Sequence, residues 1–467
     1  MQARLKFLGA AQNVTGSRYC LEVNDLRLLI DCGLYQEREY RSRNWDPFPV
    51  PPETVDAVLL THAHLDHCGL LPKLVRDGFR GPIYCTAATS DITEIMLRDA
   101  ARLQEEDAAF KKRRHEREGR RGPFPEVPLY TLDDAEAALP LFSPVGYEQP
   151  VRLGDGVEVT FHDAGHVFGS SMIMIEVAQG PERRRILFSG DVGRCDKPIL
   201  RDPTFFDEAD YVVVESTYGD RLHEDVEEVD RLAEVVGSTL QRGGNIVIPS
   251  FALERAQEVL YRLNELRTDG RIPRLLVLLD SPMAVRITDV FKRHPDLYDE
   301  EMAELVDRNR SPFDFPGLKM IRTVDESKAI NSIKGTAIII AGSGMCTGGR
   351  IKHHLVTNIS RPESTVLFVG YQAQGTLGRH IVDGADRVRI LGQHYRVRAT
   401  IAQIHGFSAH ADRDDLFRWL SELKRAPRHV FVTHGEPQVA ESFGGFVREK
   451  TGWDISVPEY GAEVALT

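Results

Sequence analysis

The first two hundred residues alternate short apolar runs with polar turns. Arg4–Leu8, Tyr19–Val23, Leu26–Asp31 and Ala57–Thr61 are apolar or alternating, and Val157–His162, Met172–Val177 and Ile186–Ser189 repeat the habit. Side chains alternate across a strand, so such runs predict strands; two strand layers with helices between and outside are the simplest packing. From about Thr217 the pattern becomes strand–helix alternation. Asn245–Pro249, Leu275–Leu279, Ala337–Ala341 and Thr365–Val369 read as core strands, with Ser250 as the expected cap of a helix running to Leu266. A parallel sheet follows for this part, and α/β for the whole chain.

One stretch stands apart. From about Asp91 to Gly119, Ile92, Ile95, Met96, Ala100 and Leu103 have helical spacing, and polarity then rises into Lys111–Arg121, where seven of eleven residues are Lys or Arg. Three readings stay open for that end: a solvated helix terminus, an RNA-contacting arm, or a face that docks a partner.

At 467 residues the chain is long enough for two or three domains, and 42% apolar with 27% charged residues suits a soluble globular protein. The longest apolar runs are strand-sized, well short of a membrane span, and Met1–Leu5 carries no apolar signal core. The six cysteines include no Cys-x-x-Cys pair, which suits a reducing compartment. A cytoplasmic protein without a membrane partner is expected. The formal net charge of −12 opposes phosphate backbones in general, so any nucleic-acid path must be a local basic surface.

The chemistry concentrates in Thr61-His62-Ala63-His64-Leu65-Asp66-His67, directly after an apolar strand. In an extended segment His62 and His64 project to one side, and Asp66 and His67 sit where a helix over Gly69–Asp77 is about to begin. Imidazoles and a carboxylate suit zinc, and four donors in six positions exceed what one tetrahedral ion takes from one loop. Two neighbouring ions fit better. His166, after Asp163-Ala164-Gly165, and Asp191, in Ser189-Gly190-Asp191, are further candidates at strand ends, and an aspartate can bridge two cations through its two oxygens.

Asp31 after a strand, the His62–His67 cluster, His166 and Asp191 resemble, in order, the four successive motifs of the metallo-β-lactamase superfamily. This resemblance implies an αββα sandwich, with His62, His64 and His166 on a first metal, Asp66 and His67 on a second, and Asp191 bridging. Asp31 would orient the histidines from behind. The remaining chain resembles the β-CASP group, which inserts a nucleic-acid-binding α/β domain: residues 1–208 and 395–467 would form the lactamase domain and 209–394 the insertion. Glu215 in Val214-Glu215-Ser216-Thr217 is similar to that group's motif A, His380 in Gly378-Arg379-His380 to motif B, and His410 in Ser408-Ala409-His410 to motif C. A histidine in the last motif marks the RNA-processing branch, whereas the DNA-repair branch carries valine. Val432-Thr433-His434-Gly435-Glu436 resembles the closing strand of the RNA branch, close to bacterial and archaeal relatives of the nuclease subunit of the cleavage and polyadenylation machinery.

What the resemblance implies is a ribonuclease with two zinc ions per chain, manganese being the alternative, that cuts single-stranded RNA internally or from the 5′ end. The two metals would activate a bridging hydroxide, His410 would complete the second metal, and His380, held by Glu215, would be the general acid. His162, His405 and His434 are expected to be structural or supporting, and His353 and His354 to face solvent. Ser343, Gly344, Arg350 and Lys352, in and beside a glycine-rich turn, are candidate RNA contacts. A homodimer is the default assembly. The competing readings are a lactamase-fold hydrolase of DNA or of a small ester or thioester, and an inactive RNA-binding scaffold. The complete motif set disfavours the scaffold.

Overall fold

The computed structural model describes residues 3–119, 122, 124–223, 228–333 and 335–467. The chain divides into two compact units. The first comprises Met1–Asp196, Arg201–Leu222 and His410–Thr467, and the second Lys197–Leu200 and His223–Ala409.

In the first unit two seven-stranded sheets share one core. One sheet runs Glu463–Leu466, Ala3–Gly9, Arg18–Val23, Leu26–Ile30, Ala57–Leu59, Ile83–Thr86, Phe142–Val145. The other runs Ile455–Ser456, His429–Val432, Tyr211–Val214, Glu182–Phe188, Ser171–Gln179, Val157–Asp163, Val151–Gly154. Strand alternation decides which face meets which: Leu5 and Phe7 of the first sheet are buried against Phe161, Ile175, Phe188 and Phe431 of the second. Leu71, Leu74, Ala101 and Ala135 from helices cover the outer face of the first sheet, and Trp419, Leu420, Phe443 and Val447 that of the second. This is the expected αββα layering.

Parallel pairing brings several strand ends to the same edge. Leu26–Ile30, Ala57–Leu59, Ile83–Thr86 and Phe142–Val145 run parallel in one sheet; Glu182–Phe188, Tyr211–Val214, His429–Val432 and Ile455–Ser456 do so in the other. Asp31, the His62–His67 segment, Asp191, Glu215 and His434 all lie just past such carboxyl ends.

The polar helix spans Ala87–Glu118. The Thr86 side chain caps it by accepting from the Thr89 N–H, and Gly119, at φ 62°, ends it. Its buried positions thin out after Ala101, leaving Ala108 and His115. Arg120 and Arg121, counted in the basic run, lie outside the described residues.

The second unit is built on a six-stranded sheet, Leu318–Met320, Leu276–Leu279, Ala337–Ala341, Ile246–Pro249, Thr365–Phe368, Thr400–Gln403, parallel throughout as its continuous apolar runs predict. The helix after Ile246–Pro249 begins at Arg255, not at Ser250: Ser250 instead donates its hydroxyl to the Phe251 carbonyl, and an irregular turn intervenes, with Glu254 at φ 64°. No helix among the described residues is long and apolar enough to cross a membrane.

Candidate metal centre

Asp31 organises the first loop. Its carboxylate accepts from the Thr61 backbone N–H at 2.8 Å, from the Thr61 hydroxyl at 3.0 Å and from the Ser17 hydroxyl at 3.2 Å. His67 Nδ1 lies 2.6 Å from Asp31 Oδ2. With Nδ1 engaged there, His67 presents Nε2 to the centre. The loop also needs a bare backbone: a Cβ on Gly33 would fall 1.6 Å from the Asp66 carbonyl oxygen, which the Ser17 N–H already bonds at 2.8 Å.

Around this loop two donor groups converge. His62, His64, His166 and Asp191 form one, with donor atoms all within 4.8 Å of one another; Asp66, His67 and His434 form the second. Asp191 faces both. Its Oδ2 is 3.6 Å from His62 Nε2 and 3.5 Å from His166 Nε2, whereas its Oδ1 is 3.3 Å from His67 Nε2 and 3.6 Å from His434 Nε2. The two oxygens of one buried carboxylate are thus divided between two sets of imidazoles.

Ring nitrogens face one another where hydrogen bonds cannot account for them all. His62 Nε2 and His64 Nδ1 are 3.1 Å apart, His166 Nε2 and His64 Nδ1 3.4 Å, and His67 Nε2 and His434 Nε2 3.0 Å. His166 Nδ1 and Asp191 Oδ1 are buried without a hydrogen-bond partner among the described residues. Burial, with like-charged neighbours adding to it, pushes His62 and His166 well below the ordinary imidazole range and His64 down to about 4. These three are therefore neutral ligand-type imidazoles at neutral pH. For His67 burial acts downward too, but Asp191 and Asp31 outweigh it and hold the ring well above its ordinary value. Converging ring nitrogens, a buried carboxylate oxygen without a hydrogen-bond partner among the described residues and a closed shell of nitrogen and oxygen atoms are what divalent cations complete, and histidine-rich sets favour zinc.

A third feature borders the centre. Glu215 Oε1 lies 3.2 Å from His410 Nδ1 and accepts from the Val192 N–H at 2.7 Å, and Oε2 accepts from the Thr217 N–H at 3.1 Å. His410 reaches it because the residue pairs with Gly193 in a short antiparallel bridge. Burial would lower His410, but the Glu215 carboxylate overrides it and raises the imidazole to about 9. Its ring lies 4.4 Å, centroid to centroid, from that of His166, and its side chain keeps 22% exposure.

Within the first unit, His410, expected to complete the second metal, is engaged through Nδ1 by Glu215, the residue expected to hold His380. His434, read as a supporting residue, stands with Asp66 and His67. The physical reason is long-range. The strand His429–Val432 pairs with Tyr211–Val214, and that register delivers His434 to the centre, where Thr217 Oγ1 lies 3.2 Å from its Nδ1. His380 lies on the helix Leu377–Val382 of the second unit, with its side chain exposed. A local signal existed for His434: Thr433-His434 ends an apolar strand as Thr61-His62 and Ser189-Gly190-Asp191 do.

The proposed RNA contacts lie at the carboxyl ends of the second unit's strands. Ser343 Oγ accepts from the Thr347 N–H at 3.1 Å, so the turn satisfies part of its own backbone. Arg350 is engaged with buried Asp280 at 2.6 Å. Lys352 is half-buried on Ile351–Asn358. His354, expected in solvent, is buried and lies 2.6 Å from Asp280.

Family models match three successive stretches: a metallo-β-lactamase superfamily domain over residues 20–208, a Beta-Casp domain over 256–381, and a Zn-dependent metallo-hydrolase RNA specificity domain over 394–458. The chain is 41% identical over 465 residues to Ribonuclease TTHA0252 of Thermus thermophilus, covering 99% of this chain and 100% of that protein. It is 31% identical to Transcription termination factor FttA of Methanocaldococcus jannaschii, covering 95% and 69%, and 30% identical to an RNase J-like protein of the same organism, covering 94% of each. A crystal structure of a protein of unknown function from Enterococcus faecalis matches over the full length of both chains with a TM-score of 0.56 at 13% identity, a likeness of fold.

Proposed function

The chain belongs to the β-CASP group of the metallo-β-lactamase superfamily, and on that premise we propose that it is a metal-dependent ribonuclease that hydrolyses phosphodiester bonds of single-stranded RNA. The observation that carries the two-metal reading is Asp191, whose separate oxygens face two sets of imidazoles. His62, His64, His166 and Asp191 would hold one ion. Asp66, His67, His434 and Asp191 would hold the other, two zinc ions per chain in all. Ions held there supply Lewis acidity that lowers the pKa of water toward ~7 and offsets charge on the phosphoryl oxygens.

The protein's own groups do the rest. Asp31 fixes the His67 ring so that Nε2 faces the centre, and the buried loop keeps His62 and His64 neutral and aligned. Hydrolysis forms a bond from water oxygen to phosphorus and breaks the bond to the departing ribose oxygen, which must take up a proton. His410 is the donor. Glu215 keeps it protonated at neutral pH, and its partial exposure beside Asp191 and His166 leaves it open to substrate. This role replaces the one expected of His380.

The test is cleavage of end-labelled single-stranded RNA beside the same sequence as DNA, in protein of measured zinc content. RNA cleavage that vanishes in His67→Ala supports the reading, and product lengths separate internal from 5′-terminal attack. Two zinc ions bound with neither strand cut would sink it.

A further inference from the structure

The polar end of the helix Ala87–Glu118 does not run free into solvent. It forms one wall of a groove of about 470 Å³ in the first unit, closed on other sides by residues 34–45 and by 124–129, and no residue of the metal centre lines it. That volume lies in the range of small-ligand sites. Its composition is unusual for a chain of net charge −12. Tyr35, Trp45 and Phe124 supply aromatic walls, and Arg41, Lys111 and Arg114 stand around them.

The two acidic side chains in the lining are already engaged: Asp107 with Lys111 at 2.5 Å, and Glu126 with His115. Arg41 is exposed and has no ion pair among the described residues. Trp45 and Phe124 stack with centroids 5.0 Å apart and planes 10° from parallel. The Trp45 indole N–H is a donor with no acceptor among the described residues. Beside the groove the basic–aromatic mixture continues, with the Arg43 guanidinium 4.6 Å from the Tyr40 ring and 4.1 Å from the Tyr460 ring.

Flat aromatic surface flanked by cations is how proteins hold single-stranded nucleic acid without reading its sequence. The lining also carries apolar surface, with Val127 exposed, but a protein partner would have to desolvate the cations that stand among it. We propose that this groove is a second RNA-binding site, which holds a nucleotide of the single-stranded substrate away from the bond being cut. One base lies against the Trp45–Phe124 wall, and the adjoining phosphates lie on Arg41 and on Arg114, which exchanges its 2.9 Å pairing with Glu118 for phosphate. The site rests on the ribonuclease reading for its substrate and extends it: long RNA is held at two places, short RNA at one.

The experiment uses the zinc-loaded protein, an RNA of about 25 nucleotides and one of about six, each fluorescently labelled, with AMP as the free-nucleotide probe. The double variant Arg41→Glu/Arg114→Glu changes exposed side chains outside the metal centre. It should weaken long-RNA binding roughly tenfold or more and reduce the slope of log affinity against log salt by about 1.4, as two lost phosphate contacts do on single strands. Cleavage of the short RNA should stay within about twofold of wild type. Trp45→Leu should weaken long-RNA binding at least about fivefold through lost stacking, with the salt slope unchanged.

Unchanged long-RNA binding in both variants overturns the proposal and leaves the groove to a protein partner. So does an equal loss on long and short RNA. Tight AMP binding that both variants abolish, without any change in RNA binding, overturns it in favour of a free nucleotide. If the wild-type protein binds long RNA through the groove but cuts neither RNA, the ribonuclease reading fails while the groove stands.

Discussion

Each unit of this molecule buries a cluster of histidine and aspartate, and the two clusters differ in how far they satisfy themselves. In the second unit Asp280 is fully buried and receives Arg350 at 2.6 Å, His354 at 2.6 Å and Ser327 at 2.5 Å. Burial would raise its carboxyl, but these donors outweigh it and hold it below the usual range. Charge is balanced within the chain, and the cluster ties the strand Leu276–Leu279 to the helix Ile351–Asn358. In the first unit Asp191 is equally buried, yet Oδ1 has no hydrogen-bond partner among the described residues and the imidazoles around it face nitrogen to nitrogen. The same residue types give a structural clamp in one place and an open ligand shell in the other. What separates them is whether donors and acceptors cancel without help.

The strongest way to break this comparison is to remove one side chain from each cluster. His434→Ala should release about one zinc per chain and reduce RNA cleavage by more than the ~10–100-fold typical of losing an outer support of a metal ligand. If metal content and rate are unchanged, His434 is no ligand and the second group falls. Next in size is the proton donor. His410→Asn should slow cleavage ~10²–10⁴-fold with both metals retained, and His380→Asn should leave the rate near wild type. The reverse result would return the acid role to His380. With His410 as the proposed donor, activity should be present below its pKa of about 9 and be lost above it. In Glu215→Gln the main counter to burial is gone, leaving Asp191 and Asp66, and a pH–rate profile should show that upper limit moved down by ~1 unit or more.

In the second unit the expected effect is on stability alone. Asp280→Asn leaves Arg350 and His354 without their counter-charge, and breaking a buried pair in this way typically costs ~3–5 kcal/mol. Thermal unfolding should show the loss, while zinc content and cleavage of a short RNA stay unchanged. A loss of zinc in this variant would erase the distinction between the two clusters.

How much of this was legible in the chain follows the range of the contacts. His62, His64, Asp66 and His67 lie within one turn of chain, so their joint chemistry is visible in the residues themselves. His166 and Asp191 are visible as polar residues ending apolar strands. His434 was not read as a ligand because its place depends on a strand pairing across more than two hundred residues, Tyr211 against His429. The Glu215–His410 contact depends on the same long-range assembly, through the Gly193–His410 bridge. In the second unit the strand runs predicted the parallel sheet well, but not that His354 turns inward, because a helix that also carries Lys352 and His353 does not display which face Asp280 will meet. The groove beside Trp45 was invisible for another reason: its walls come from three separate stretches, and only the basic one has a distinctive composition.

Asp163 sharpens the comparison from between the two extremes. Its carboxylate has one donor, the Gly165 N–H at 3.0 Å, with Arg201 adding a weaker favourable charge. Burial therefore wins and pushes it up to about 7 from the ordinary 3.8. The sign of the consequence is fixed by proton counting. Between pH 3.8 and about 7 the folded state holds a proton that the unfolded chain has released, so folding stability falls as pH rises through that window and stays reduced above it. Asp163→Asn keeps the acceptor for Gly165 and removes the titration. Its Tm should match wild type near pH 4 and exceed it at pH 8, by an amount on the order of 2 °C. Equal Tm values at both pH values would mean that Asp163 is already stabilised as an anion, and the half-satisfied case would then belong with Asp280.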